Sequence, residues 1–203
     1  MTGTDSAPAG GADAGGGSDA GADSRERIMW ATYRALCKQG YASLTTQDIA
    51  DESELSKASL HYHYDSKAEL LRAFLEFLID SFRDRVTAET ADAEPFERVR
   101  TLVELLFEPP GDAPDAEFRT ALLELKAQAP YEPPVRERLV AFDEFLRAEL
   151  AEGLREAPEA VAEFVVTVSN GAHTRRVALG RTTDCAETHL LEYLSGLRSE
   201  GER

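Results

Sequence analysis

The chain of 203 residues is long enough to bury a substantial core, and its 22 basic and 38 acidic residues give a formal net charge of −16. It has no apolar run long enough to span a bilayer, and residues 1–23 lack the basic start and apolar middle of a secretion signal. These features predict a soluble cytoplasmic protein without membrane partners. Cys37 and Cys185 have no close-spaced partner, which predicts two reduced, packed thiols rather than a disulfide framework or a zinc site.

The acidic charge is unevenly distributed along the chain. Residues 24–70 carry six bases and seven acids, whereas residues 71–203 carry sixteen bases and twenty-seven acids. The middle segment is therefore the part best suited to approach a polyanion. Acid and alanine are abundant and lysine is rare, a bias that predicts a halophilic source, such as a halophilic archaeon.

Residues 1–23 are dominated by Gly, Ala, Asp, Ser and Thr, without any aromatic residue. Such a composition cannot bury enough apolar surface to offset the entropy cost of ordering, so we expect a disordered acidic tail. From residue 24 onward, apolar residues recur at helical spacing and no segment shows sustained strand alternation. The sequence predicts an all-α protein.

Four helices are predicted in the first half of the chain. The first covers 24–38, and a short second helix over 46–52 follows, with Thr45 as its N-cap. A three-residue turn then leads to a third helix over 56–64, and a long fourth helix starts at 66. Two short helices joined by such a turn are typical of a helix-turn-helix motif, in which the second helix contacts DNA.

Prolines and glycines divide the remaining sequence into five further helical segments. They are predicted at 94–108, 114–128, 134–153, 158–179 and 183–198. The whole chain therefore divides into the tail, a helix-turn-helix DNA-binding domain over 24–70 and a larger helical effector-binding and dimerisation domain over 71–203.

The polar positions around the second and third helices are the candidate DNA contacts. Lys67 falls in the first turn of the fourth helix, where the helix dipole disfavours a cation unless a phosphate is bound there. Together with Thr46, it is a candidate phosphate clamp. The predicted DNA-contact residues are Thr46, Gln47, Ser56, Lys57, Ala58, Ser59, His61, Tyr62, His63 and Lys67.

Three consecutive segments carry a family resemblance: Ser43-Leu-Thr-Thr-Gln-Asp-Ile-Ala50, Leu55-Ser-Lys-Ala-Ser-Leu-His-Tyr-His-Tyr64 and Asp65-Ser-Lys-Ala-Glu-Leu-Leu71. They resemble the N-terminal domain of TetR/AcrR-type transcriptional regulators. The resemblance implies a ligand-responsive repressor that binds a palindromic double-stranded DNA operator as a homodimer. It further implies that the third helix reads the major groove and that the helices near 158–179 and 183–198 pair the subunits.

Two positions depart from the family pattern. Glu54 occupies a turn position usually filled by glycine, and a left-handed conformation there would cost about 1–2 kcal/mol, so we expect a slightly different turn. His61 stands where the family usually has a tyrosine, and Tyr64 where it has a phenylalanine.

An effector pocket is predicted among the helices of residues 94–179, although aromatic residues at helical spacing are more often ordinary core. A small-molecule effector there would act by favouring one of two conformations of the dimer. The candidate lining residues are Phe107, Phe118, Leu122, Phe142, Phe145, Phe164, Asn170 and His173.

Two other functions remain open on the sequence. Cys185 and His189 are spaced by one helical turn and, with His173 as a candidate third ligand, could belong to a metal sensor. The chain could also be a helical homodimeric interaction protein that binds no operator. An enzyme is not expected, since the sequence has no Gly-rich phosphate loop and no nucleophile motif. No cofactor and no metal site are predicted.

Overall fold

The computed structural model describes residues 17–107, 115–155 and 157–201, with side chains described over 24–107, 119–155 and 157–198. Within these ranges the chain forms nine α-helices and no strand, which confirms the predicted all-α class. No helix there is both long and apolar enough to cross a membrane. The helices are α1 (Gly17–Ser43), α2 (Thr46–Ser53), α3 (Lys57–His63), α4 (Lys67–Thr90), α5 (Pro95–Phe107), α6 (Asp115–Lys126), α7 (Pro133–Glu152), α8 (Pro158–Leu179) and α9 (Asp184–Gly201).

The first helix starts earlier than the sequence predicts. α1 begins at Gly17, so the expectation of a disordered tail over 1–23 is wrong for 17–23, and residues 1–16 lie outside the described part of the chain. Once a helix has nucleated, each added residue gains a hydrogen bond for a small entropy cost. This propagation outweighs the weak helix propensity of the glycine-rich segment.

A first hydrophobic core joins α1, α2, α3 and the start of α4. Ile28, Leu36, Ile49, Leu60 and Phe74 are each at most 2% exposed there. Burying such a side chain stabilises a fold by about 1.5–3 kcal/mol. One buried alanine of α6 also belongs to this core, so the N-terminal helices pack directly on the C-terminal half.

A second core lies among α5, α7, α8 and α9, with Val99, Leu102, Leu150, Val165 and Leu194 nearly or fully buried. α7 and α8 pack directly against each other. A smaller third cluster, formed by α4, α6 and α7, lies between the two. The long helix α4 thus contributes to all three clusters and connects the two halves of the molecule.

A close contact between α5 and α7 depends on Gly153, the residue that ends α7. A Cβ atom at this position would collide with the carbonyl oxygen of Pro95 and with the side chain of Val99. Only glycine allows the end of α7 to approach the start of α5 this closely.

The two cysteines differ in their surroundings. Cys37 is half-buried against the first core, but Cys185 is exposed, so the prediction of two packed thiols is wrong for Cys185. Its position near the start of α9 places it on the outer side of that helix. His189, its proposed metal-binding neighbour, instead pairs with Glu192, with 2.9 Å between Nδ1 and Oε2.

Candidate nucleic-acid interface

The start of α2 is fixed by reciprocal capping. The Thr45 hydroxyl accepts the Asp48 backbone N–H at 3.2 Å, and the Asp48 carboxylate accepts the Thr45 backbone N–H at 2.7 Å. Hydrogen bonds from Thr45 lower the pKa of the Asp48 carboxyl. Thr45 is the N-cap predicted from the sequence, and its capping box with Asp48 sets the first residue of α2.

The turn after α2 keeps the left-handed conformation that glycine usually provides. Glu54 has φ 59° and ψ 18°, so the expectation of a different turn is wrong. The Ser53 hydroxyl stabilises the turn, since it donates to the Ala50 carbonyl at 3.0 Å and accepts the Leu55 N–H at 3.3 Å. These local bonds offset part of the backbone strain at Glu54.

α3 separates an inward apolar side from an outward polar side. Ser56 caps it by accepting the Ser59 N–H at 3.0 Å, while Leu60 and Tyr64 are buried in the first core. On the outer side Tyr62 is 87% exposed. Of the other predicted contacts around α3, Ser56, Lys57, Ala58 and His61 are exposed, and Ser59 and His63 are half-buried.

The two predicted contact residues of α2 lie at the start of that helix. Gln47 is exposed and donates its side-chain amide to Asp51 at 2.7 Å, and Thr46 is half-buried. Both directly follow the N-cap Thr45 and so lie in the first turn of α2. The backbone N–H groups of a first helical turn attract anions.

Lys67 is held in place by the end of α1. Its Nζ donates to the Tyr41 carbonyl oxygen at 3.0 Å and lies 5.1 Å from the centre of the Tyr41 ring. Burial lowers the Lys67 pKa, while the negative charge of Asp48 acts in the opposite direction. An ammonium group has three donors, so one bond to a carbonyl leaves others for a phosphate.

Three cations of α1 hold the end of α2, and sequence reasoning did not find them. Arg34 donates to the Glu52 carbonyl at 3.0 Å, Lys38 pairs with the Glu52 carboxylate at 2.5 Å, and Arg27 reaches the Ser53 carbonyl at 3.5 Å. Cations stabilise a helix C-terminus through the helix dipole. Their spacing along one face of α1 is the signal that could have indicated this role.

The predicted effector-pocket residues do not all face one interior space. Phe107 is buried, and Phe142 and Phe145 are half-buried against the second core. Leu122 packs on the first core and Phe164 is 48% exposed, so their assignment to a shared pocket is wrong. They lie on faces of α6 and α8 that point elsewhere, which helical spacing alone could not reveal; the side chain of Phe118 lies outside the described part.

Asn170 and His173 contact α6 instead. The Asn170 side-chain oxygen accepts from Lys126 at 3.0 Å, and His173 forms a hydrogen bond through Nδ1 with Arg119. The Nε2 atom of His173 lies 2.8 Å from the Leu106 carbonyl oxygen, which requires the proton on Nε2. Burial and neighbouring cations, Arg119 first, lower the His173 pKa to about 4.

A capped α2, a three-residue turn and a capped α3 with an exposed polar face define a helix-turn-helix DNA-binding protein. The family profile described as bacterial regulatory proteins, tetR family, matches residues 28–74. The profile described as BetI-type transcriptional repressor, C-terminal, matches residues 95–199. The chain therefore belongs to the TetR family of DNA-binding transcriptional regulators, a family of regulators and not of enzymes.

Known proteins resemble the chain over most of its length. The HTH-type transcriptional regulator BetI of Rhizobium meliloti is 32% identical over 158 residues, covering 75% of this chain and 77% of the relative. A TetR transcription regulator from Haloarcula marismortui is 36% identical with a TM-score of 0.79, covering 87% of this chain and 98% of that chain. A regulator from Saccharomonospora viridis, solved in complex with choline, has a TM-score of 0.71 but only 23% identity and shares the fold alone; the match covers 86% of this chain and 96% of that one.

Proposed function

We propose that the chain is a ligand-responsive repressor that binds a palindromic DNA operator as a homodimer. The observation that carries this proposal is the outer face of α3, where Lys57, His61 and Tyr62 are exposed while Leu60 and Tyr64 anchor the helix from within. The buried side chains hold α3 against the first core, and the exposed polar side chains face outward. The helix can therefore enter a major groove while its packing against the core is kept.

The groups around α3 are placed to contact the DNA backbone. Lys67 and Thr46 both start helices, where N–H groups and the helix dipole favour a phosphate. Lys67 is oriented by Tyr41 and needs little further ordering to bind an anion. We assign base-edge contacts to the exposed side chains of α3 and phosphate contacts to Lys67 and Thr46.

An exposed aromatic pair supports dimerisation through α8 and α9. The rings of Phe164 and Tyr193 are 5.5 Å apart, and the two residues are 48% and 43% exposed. Large apolar side chains grouped on a surface are typical of subunit interfaces. Pairing α8 and α9 with their copies would give a four-helix interface and a two-fold axis, which a palindromic operator matches.

We further assign the DNA-binding unit to 24–70 and the effector-binding and dimerisation unit to 71–203.

We also propose a halophilic archaeal source and a cytoplasmic location, supported by the net charge of −16 and by the 36% identity to the Haloarcula marismortui regulator. A protein adapted to such an interior should lose folded structure as potassium chloride is diluted from molar to millimolar concentration. Full helicity and operator binding at low salt would contradict the assignment of its source.

The repressor proposal is tested by footprinting the purified protein on the DNA upstream of its own gene, with non-specific competitor present. We expect protection of a palindromic site, and loss of about tenfold or more in affinity for Lys57→Ala and Tyr62→Ala without any change in oligomeric state. Arg100→Ala is the control, since Arg100 is an exposed cation of α5 that lies outside the proposed DNA-binding unit. Unchanged specific binding in both α3 variants would contradict the assigned contacts.

A further inference from the structure

In the C-terminal half, polar side chains of α6 and α8 lie opposite one another and form hydrogen bonds. On α6, Arg119 and Lys126 are separated by two turns and share a face, while Asn170 and His173 share a face of α8. Arg119 bonds to His173 and Lys126 to Asn170, so the two helices run antiparallel through this contact. We call these four residues and Ser169 the α6–α8 site.

Ser169 adds a buried hydroxyl group to this site, and this hydroxyl donates no hydrogen bond to a described residue. It lies one turn before His173 on the same face of α8 and is 3% exposed. Its hydroxyl has no hydrogen-bond partner among the described residues. A buried hydroxyl without a partner is costly, and a bound ligand with an acceptor atom would remove that cost.

The charged groups that act on His173 among the described residues are cations, although the whole chain is strongly acidic. Arg119, Lys126 and Arg176 all lower the pKa of His173, whose imidazole is therefore neutral near pH 7. Burial lowers the Lys126 pKa, and the carboxylate of Asp143 on α7 acts in the opposite direction. This carboxylate also pairs with Arg147 at 2.9 Å.

The site is both buried and reachable. Arg119 is 7% exposed and bonds to the Phe107 carbonyl and to His173, whereas Lys126 is half-buried and Asn170 is exposed. The ammonium group of Lys126 therefore lies between the solvent and the buried part of the site. A ligand could enter at Asn170 by replacing the 3.0 Å bond between Lys126 and Asn170.

We propose that the α6–α8 site binds the carboxylate of a small organic anion, and that this anion is the effector. The proposal rests on the proposed regulator function and specifies its ligand. Arg119 and Lys126 supply charge-assisted hydrogen bonds to the carboxylate, and the Ser169 hydroxyl supplies a further donor. A quaternary ammonium ion such as choline would meet like charges here, so the site selects against it.

The ligand class is tested with three probes of similar size on the full-length protein: benzoate, its neutral analogue benzamide, and choline. Calorimetric titrations are run at equal ionic strength, and the His173 ring is followed by NMR across pH. We expect saturable binding of benzoate alone and a rise in the His173 pKa when benzoate is bound, because the anion favours the imidazolium. Equal binding of benzamide or choline, or no saturable benzoate binding, would overturn the proposal.

Variants show whether benzoate binds at this site. Lys126→Gln should weaken benzoate binding about tenfold or more, and Lys126→Arg should retain most of the affinity. Arg100→Gln is the control, since Arg100 is an exposed cation of α5 paired with Glu97 and Glu104. An unchanged benzoate affinity in Lys126→Gln would place the anion elsewhere and overturn the assignment.

Operator binding by the unliganded protein, measured on the same samples, separates the two proposals. Specific operator binding without any benzoate effect would overturn only the anionic effector. Benzoate binding that follows these variants, in a protein that binds no operator, would overturn the regulator function and leave the anion site in place.

Discussion

The carboxylate of Glu124 on α6 accepts the backbone N–H of Tyr41 at the end of α1. The contact falls directly after Gly40, where φ 71° and ψ 164° interrupt α1 in a region open to glycine. The carbonyl of the same Tyr41 accepts from Lys67 at the start of α4. One residue, Tyr41, therefore links a helix of the C-terminal half to the candidate phosphate clamp through its backbone N–H and its carbonyl.

Replacing Glu124 with Gln should weaken this link while keeping the side-chain shape. The amide is a weaker acceptor than a carboxylate, and the loss of a charge-assisted hydrogen bond costs about 1–2 kcal/mol of unfolding free energy. Urea unfolding measures the stability, and hydrogen exchange at the Tyr41 amide reports the bond directly.

Glu137→Gln is the matched control for this prediction, because Glu137 is an exposed carboxylate of α7. It should change the unfolding free energy by less than about 0.5 kcal/mol. If Glu124→Gln unfolds at the wild-type urea concentration and Tyr41 keeps its protection, the hydrogen bond contributes nothing to the link between α6 and α1.

The left-handed backbone at Glu54, in the turn between α2 and α3, predicts that a substitution there can stabilise the protein. Glu54→Gly should raise the unfolding free energy by up to about 1 kcal/mol, since glycine removes a left-handed cost of about 1–2 kcal/mol but adds some unfolded-state entropy. Glu54→Asn should fall between the two, because asparagine tolerates this conformation better than most residues. Thermal unfolding ranks the three proteins, and a less stable glycine variant would mean that the Glu54 side chain contributes more than the strain costs.

Local features of the fold were predictable from the sequence, and several long-range contacts were not. Thr45, Ser56 and Ser66 each cap the helix that they were expected to start, because capping depends on residues three positions apart. The bonds from Lys67 to Tyr41 and from Arg119 to His173 join residues far apart in sequence. Only the packed fold brings such pairs together, so helical spacing could not identify them.

The same limit explains the errors in the predicted effector pocket. The sequence indicated apolar residues at helical spacing, but it could not say which neighbouring helix each one faces. Leu122 packs against the first core, and Phe164 lies beside Tyr193 on the outer surface. Conversely, Arg119 was missed because a buried arginine looks like any surface cation in a sequence with many charges.

His173 predicts a defined pH dependence of stability. Its pKa is about 4 in the folded chain against 6.5 as the ordinary value, so the unfolded state binds more protons between these limits. Stability should therefore fall as the pH drops from 6.5 toward 4, by at most about 3 kcal/mol from this group. Well above pH 6.5 the imidazole is neutral in both states and contributes no slope.

His173→Gln should flatten that part of the curve even if it lowers the overall stability. Urea unfolding at several pH values between 4 and 8 measures the slope, and His189→Gln on the exposed side of α9 should keep the wild-type slope. The same slope in His173→Gln and wild type would mean that His173 is not buried in its neutral form.

The exposed pair Phe164 and Tyr193 gives the sharpest test of dimerisation. Phe164→Glu places a charge on the proposed interface, where burial without a partner is costly, so we expect monomers at micromolar concentration and operator affinity lowered about tenfold or more. Val140→Glu is the control, because Val140 of α7 is 47% exposed, almost the same as Phe164 at 48%. Sedimentation velocity measures the oligomeric state and operator titration the affinity. If both variants stay dimeric, the subunits pair through another surface; if only Val140→Glu becomes monomeric, that surface includes α7.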